Sequence, residues 1–302
     1  MTRPLIVVLP GGEHLASGLA RGLAAEIAQL DCRYFPDGEV YLRYRSDPGG
    51  RAVVVVCPLD RPDAKILPLL FAGDTARDLG AAGVGLAAPY LAYMRQDRRF
   101  LPGEAITSAS FARRVAATFD WLATVDAHLH RYSALSDIYA IPAINLHAAA
   151  LIAAWIAREV VNPVLIGPDA ESKQWVGRVA VLAGAPYVVL NKVRRGDREV
   201  EVSVPHVERW AGSTPVLVDD IISSGETMKA TLGYLALAGL RPAVCIGMHA
   251  IFAADAHAGL MRAGAVRIVT TNTIAHASNG IDVTDLLATA IGALAGRAGP
   301  GA

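Results

Sequence analysis

Between Pro215 and Met228 the chain reads Pro-Val-Leu-Val-Asp-Asp-Ile-Ile-Ser-Ser-Gly-Glu-Thr-Met, and few folds are compatible with that order. Val216 to Val218 is short, apolar and partly β-branched, as a buried parallel strand is. The carboxylates Asp219 and Asp220 follow at once. Then come Ser223, Ser224, Gly225, Glu226 and Thr227, where a helical pattern begins. In an open α/β sheet, ligands sit just past the carboxyl ends of the strands. A loop of small residues there turns several backbone N–H groups on one anion, and the helix behind adds its positive dipole end. Phosphate is the natural occupant. The two carboxylates would repel it, so they face another part of the same ligand, where sugar hydroxyls or Mg²⁺ suit them. The competing reading is a plain strand-to-helix turn with a serine cap.

A chain of 302 residues implies about two domains at ~150 residues each. Its 28 Lys and Arg balance 28 Asp and Glu, which argues against a nucleic-acid partner. Cys32, Cys57 and Cys245 are isolated and odd in number, as expected of reduced thiols in the cytoplasm. No leader-like segment precedes the first strand pattern. The uncharged run from Ile138 to Ala157 is interrupted by Pro142, Asn145 and His147, so no membrane span is expected.

Strands are expected at Leu5–Leu9, Ala52–Val56, Val84–Ala88 and Trp121–Val125, and helices at Glu13–Gln29 and Ala64–Leu79. Asp37-Gly38 marks a hairpin turn, with Val40, Leu42 and Tyr44 alternating after it. An exposed Phe35 beside acidic neighbours also suits stacking on a purine. Arg95, Gln96 and Asp97 follow the third of these strands, where guanidinium groups can fork onto phosphate oxygens; a solvated charged loop would read the same. Ile106-Thr107-Ser108 promises a helix with a hydroxyl cap. In the second half, Val164–Gly167, Tyr187–Leu190, Ala243–Met248 and Val266–Thr270 read as strands, with helices at Glu171–Leu182 and Val283–Leu294. Val54–Asp60 echoes Val164–Asp169, and Leu122–Asp126 echoes Val216–Asp219, in keeping with two similar α/β domains. The boundary falls near Asn145–Leu151, giving residues 1–146 and 147–302, with the last helix free to pack on either domain.

The 215–228 stretch resembles the phosphoribosyl-pyrophosphate (PRPP) loop of type I phosphoribosyltransferases and PRPP synthetases, although the usual Thr-Gly-Gly-Thr is here Ser224-Gly225-Glu226-Thr227. Phe35-Pro36-Asp37-Gly38-Glu39, the Tyr90–Arg98 run with Arg95-Gln96-Asp97, Val125-Asp126-Ala127-His128, Pro168-Asp169 and Lys192-Val193-Arg194 resemble PRPP synthetase segments in that family's order. The fold this resemblance implies is α/β, with two phosphoribosyltransferase-like domains, each a mainly parallel sheet flanked by helices. The implied reaction makes PRPP and AMP from ATP and ribose 5-phosphate with Mg²⁺. Phe35, Asp37, Glu39, Arg95, Gln96, Asp97 and His128 then bind ATP. Asp169, Asp219, Asp220 and Ser223 to Thr227 hold ribose 5-phosphate. His128 and Asp169 meet the metal, and Lys192 and Arg194 stabilise the transferred group. In that family the hairpin completes a neighbour's site, so a homo-oligomer of at least two chains is implied. A catalytically silent paralogue that regulates a synthetase and a PRPP-consuming phosphoribosyltransferase are the alternatives. The second has no use for Phe35, Asp37 and Glu39.

Overall fold

The computed structural model describes residues 3–168, 172–195, 199–203 and 207–296. They divide into two compact units. The first holds Met1–Leu146, Thr273–Ala275 and Val283–Ala302, and the second His147–Asn272 and His276–Asp282.

The first unit runs β1 (Leu5–Val8), α1 (Glu13–Gly22), β2 (Glu26–Ile27), β3 (Leu30–Tyr34), β4 (Val40–Tyr44), β5 (Ala52–Val56), α2 (Asp63–Asp78), β6 (Gly83–Ala88), α3 (Thr107–Thr118), β7 (Trp121–Val125) and β8 (Ala143–Leu146). Six of the strands form one sheet in the order β2-β1-β5-β6-β7-β8, every pair parallel. Val53 to Val56 are buried throughout, as a parallel strand covered on both faces requires. β3 and β4 form a separate antiparallel hairpin.

Three expectations change here. The helix from Glu13 stops at Gly22 rather than Gln29. Ala24 takes a left-handed φ of 48°, Ala25 N–H reaches back to Ala20 O at 2.8 Å, and the chain then adds β2 beside β1. The periodic pattern persists in the sequence, but pairing at the sheet edge takes those residues. β8 has only four residues after Pro142, too few to show a period. The hydroxyls at the start of α3 do not cap it; Thr107 bonds Tyr93 O and Ser108 bonds the Tyr132 hydroxyl.

The second unit runs α4 (Ala149–Glu159), β9 (Pro163–Gly167), α5 (Lys173–Ala183), β10 (Tyr187–Val189), β11 (Asn191–Arg195), β12 (Glu199–Ser203), β13 (Thr214–Ile222), α6 (Glu226–Leu237), β14 (Ala243–Ala250), α7 (Ala256–Arg262), β15 (Ala265–Thr271) and β16 (Asn279–Ile281); α8 (Thr284–Ala295) follows. The sheet order is β10-β9-β13-β14-β15-β16, again all parallel. Leu217, Ile222, Met228, Leu232, Cys245 and Leu260 lie in its core.

The two topologies correspond strand for strand. In each, a helix leads to the second strand at the sheet edge, a hairpin intervenes, and four strands follow in order. β5 therefore matches β13, and β1 matches β9. The sequence echoes had paired β5 with β9 and β7 with β13, so they signalled duplication in the wrong register. The helix after the sixth strand belongs in each case to the other unit: α4 to the second and α8 to the first. Small residues let α8 lie close on α1. A Cβ on Gly18 would stand 2.5 Å from Thr284 Cγ2, and one on Gly22 2.7 Å from Ala288 Cβ. Among the described residues, no helix is long and apolar enough to cross a membrane.

Gly85 on β6 lies beneath the Trp121 ring, where an added Cβ would come within 1.9 Å of Cε2. Gly85→Val is expected to cost about 3 kcal/mol by overpacking, lowering the thermal midpoint by roughly 6–12 °C. Gly233 is exposed inside α6 with open space around it. Gly233→Ala therefore serves as the paired control and should stabilise by about 0.5–1 kcal/mol. Calorimetric melting of both variants checks the pair.

Candidate active site

In each sheet the strand order reverses beside the first strand, which makes a crevice at the carboxyl end of the sheet. In the second unit the reversal lies between β9 and β13. β13 pairs with β9 only as far as Leu217, opposite Ile166, but stays paired with β14 as far as Ile222, opposite Ala250. Asp219 and Asp220 therefore stand on an extended strand end, half-buried, rather than in a loop. Gly247 of β14 admits the Ile222 side chain, which would be 2.5 Å from a Cβ placed there. The loop proper is reduced to Ser223, Ser224 and Gly225.

Gly225 is the N-terminal cap of α6 and has left-handed backbone angles, φ 72° and ψ 6°, with no side-chain cap bond. The serine cap considered from the sequence is thus absent. A left-handed residue reverses the chain within one step, a conformation glycine adopts at little cost. Ser223 O accepts Ala253 N–H at 3.1 Å, which ties the loop to the segment after β14. Ser224 is exposed, and Thr227 is half-buried in the first turn of α6. Glu226 has an exposed side chain, 2.7 Å from Lys229 Nζ. The loop thus has small residues, an exposed Ser224 and a helix N-terminus behind it.

The other expected residue on this edge, Asp169, lies outside the described residues. Lys192 and Arg194 fall on β11, whose backbone pairs in register with β12, Lys192 opposite Val202 and Arg194 opposite Val200; their side chains lie outside the description. Phe252, His257 and His276 form a ring cluster on the same edge that the sequence did not reveal. The Phe252 ring lies 5.3 Å from His257 and 4.6 Å from His276. Burial, then the His257 charge, holds His276 below the usual imidazole value.

In the first unit the corresponding strand ends carry contacts among their own side chains. Lys65 Nζ bonds Pro58 O at 2.8 Å and Asp60 Oδ1 at 2.5 Å, and would be 3.0 Å from a Cβ on Gly11. Gly11 N–H donates to Glu13 Oε2 at 2.8 Å. The expected nucleotide residues lie further along this sheet. Arg95 is exposed in a segment anchored on both sides. On one side Tyr93, at a left-handed φ of 61°, bonds Asp63 through its hydroxyl and packs 5.0 Å from the Phe111 ring. Burial, then the Asp63 hydrogen bond, pushes that hydroxyl up to about 12. On the other side Gln96 O accepts Ser108 N–H at 3.3 Å. The buried Asp97 carboxylate accepts two bonds from Arg131 Nη1, at 2.9 and 3.1 Å. Asp97 is thus occupied as an anchor, and Tyr93, Asp63 and Arg131 are supports the sequence did not single out. After β7, the half-buried His128 lies against the exposed His130, ring centres 3.9 Å apart.

The hairpin tip is exposed at Phe35, Asp37 and Glu39. Phe35 meets Tyr41 edge to face at 5.9 Å, and Arg33 lies 5.1 Å from its centre. Asp37 Oδ1 accepts Glu39 N–H at 3.2 Å, so it also shapes the turn. The apolar arm is not free: Val40, Leu42 and Tyr44 are half-buried, and the Tyr44 hydroxyl donates to Ala72 O of α2 at 2.7 Å. The tip is exposed, whereas the arm is partly covered.

Mg²⁺ takes oxygen ligands. Asp219 and Asp220 supply that chemistry at the sheet edge, while the imidazole of His128 fits it less well.

Residues 5–118 match the family model for the N-terminal domain of ribose phosphate pyrophosphokinase, and residues 134–285 match that of the phosphoribosyl transferase domain. The ribose-phosphate pyrophosphokinase of Methanopyrus kandleri is 33% identical, covering 97% of this chain and 100% of the relative. That of Methanothermobacter thermautotrophicus is 32% identical over 94% of this chain and 98% of its own length. The crystal structure of phosphoribosylpyrophosphate synthetase from Mycobacterium smegmatis superposes with a TM-score of 0.85 at 21% identity, covering 98% of this chain and 100% of that one. With both domain types present in order and near-complete coverage of its relatives, the chain belongs to the ribose-phosphate pyrophosphokinase family.

Proposed function

We propose that this protein transfers the β,γ-diphosphoryl group of ATP to the 1-hydroxyl of ribose 5-phosphate, releasing AMP and forming PRPP. The observation that carries this reading is the β13–α6 junction: two carboxylates on a strand end, then a short loop of small residues closed by a left-handed glycine at a helix N-terminus. The carboxylates of Asp219 and Asp220 accept hydrogen bonds from ribose hydroxyls. The backbone from Ser223 to Thr227 receives the 5-phosphate. Asp169 completes the sugar end of the site.

ATP is held by Phe35, Asp37 and Glu39 at the adenine, and by Arg95, Gln96 and His128 toward the phosphates. Asp97 contributes by fixing Arg131 and the loop rather than by touching nucleotide. His128 and Asp169 are the residues assigned to Mg²⁺, which would supply neutralisation of phosphate charge. Lys192 and Arg194 stabilise charge on the group in flight, which is the principal catalytic demand of such transfers. Presence of the synthetase-type N-terminal domain favours synthesis of PRPP over its consumption. We place the enzyme in the cytoplasm, acting as a homo-oligomer of at least two chains, without a nucleic-acid or membrane partner.

With Mg²⁺, ATP and ribose 5-phosphate, the wild-type protein should release AMP only when all three are present. Lys192→Ala should lose about 10²–10³ in turnover with smaller changes in KM. A rise in KM alone would make Lys192 a binding residue, and no AMP from the wild type would overturn the reading.

Gly225→Val forces a branched side chain into a left-handed position and puts its Cβ 3.3 Å from Leu260 Cγ and Cδ1. Calorimetric titration should show loss of ribose 5-phosphate binding, with circular dichroism unchanged.

The oligomer is tested by mixing. Asp37→Ala protein lacks the hairpin contact and Asp220→Ala protein the ribose contact. If sites are shared between chains, exchanged oligomers regain part of the activity. Exchange verified by mass without any recovery would mean that each chain supplies its own hairpin.

A further inference from the structure

Glu226 is the first residue of α6, directly after the Gly225 cap. Its carboxylate is attracted to the positive end of that helix, which is also what attracts a phosphate. A carboxylate and a phosphate would thus compete for the same backbone N–H groups. The structure shows where the carboxylate goes instead. Its Oε1 lies 2.7 Å from Lys229 Nζ, one turn along the helix exterior. Lys229 is the more enclosed partner, 27% exposed against 74% for Glu226. It is enclosed because α7 offers a glycine: a Cβ on Gly259 would come within 2.9 Å of Lys229 Cε and 3.1 Å of Nζ. Beyond it, Arg262 pairs with Asp255 at 2.5 Å. Arg262, and to a smaller degree Lys229, hold the Asp255 carboxyl below its usual value. Arg262 Nη2 also lies 3.8 Å from a Cβ on Gly259, so both cations border that glycine, each with its own carboxylate.

We propose that Lys229 is a positioning residue for ribose 5-phosphate: it draws the Glu226 carboxylate away from the phosphate-binding backbone and neutralises it there. This rests on the assignment of the 223–227 loop to the 5-phosphate. An exposed pair of this kind adds little to stability; its consequence is the location of one negative charge. Gly259 is part of the device, since any side chain there would displace the lysine.

The test is kinetic and calorimetric. Lys229→Met should raise KM for ribose 5-phosphate ~5–10-fold at low ionic strength, the order expected for one unscreened charge near a phosphate. Its kcat should stay within about two-fold and KM for ATP should not move. The effect should shrink as salt is raised. Inorganic phosphate, titrated directly, should bind correspondingly more weakly. Adding Glu226→Gln to Lys229→Met should return KM to within about two-fold of the parent, which a merely structural lysine would not allow. An unchanged KM in Lys229→Met, or one raised equally in the double variant, overturns the proposal. Gly225→Val separates the two levels of the argument. If it still binds ribose 5-phosphate, the loop assignment and this proposal fall together. If it loses binding while Lys229→Met is silent, only the positioning role falls.

Discussion

The site depends on one difference in strand length. β13 outruns β9 yet stays paired with β14. Pairing with β14 holds Asp219 to Ile222 extended beyond the point where the pairing with β9 ends. A buried strand cannot leave N–H and C=O groups unpaired without cost. Without the long β14, the carboxylates would sit on a loose segment. With a longer β9, they would be covered.

Duplication of the fold did not duplicate the site. Both units have a reversal of strand order and a helix behind it. In the second, Gly225 turns the chain and the residues around it are small. In the first, Lys65 occupies the crevice, satisfied by Pro58 O and Asp60, and Glu13 takes the Gly11 N–H. The same sheet geometry thus bears an ion pair of Lys65 and Asp60 in one copy and a loop of small residues in the other. The difference lies in a few side chains, as expected when function is grafted on a shared fold. In the first unit the groups assigned to nucleotide occupy the ends of later strands and the hairpin tip. There the supports are buried or anchored, notably Tyr93 on Asp63 and Asp97 on Arg131, and the exposed Arg95 is held between them.

Much of this was legible in the residues. β-branched runs announced β5 and β13, Asp37-Gly38 announced the hairpin, and Ser223 to Thr227 announced the turn into α6. These signals are local: they depend on backbone preference and on the period of burial. β2, β8 and β16 were missed because two to four residues contain no period. The end of α1 was missed because sheet-edge pairing overrode a continuing helical pattern. The echoes between halves were misaligned because every parallel strand that ends in a polar turn resembles every other.

By itself, the sequence determined the class of fold, the main strands and helices and the family resemblance, since all of these follow from contiguous segments. The tertiary structure decided how individual side chains are held. It committed Asp97 to Arg131, turned the apolar arm of the hairpin onto α2, assigned α8 to the first unit, and placed Glu226 on Lys229 beneath Gly259. Apart from the Glu226–Lys229 pair, which is three residues apart on α6, these join segments distant in the chain. Such contacts are set by what the sheet brings alongside, and no local pattern encodes them.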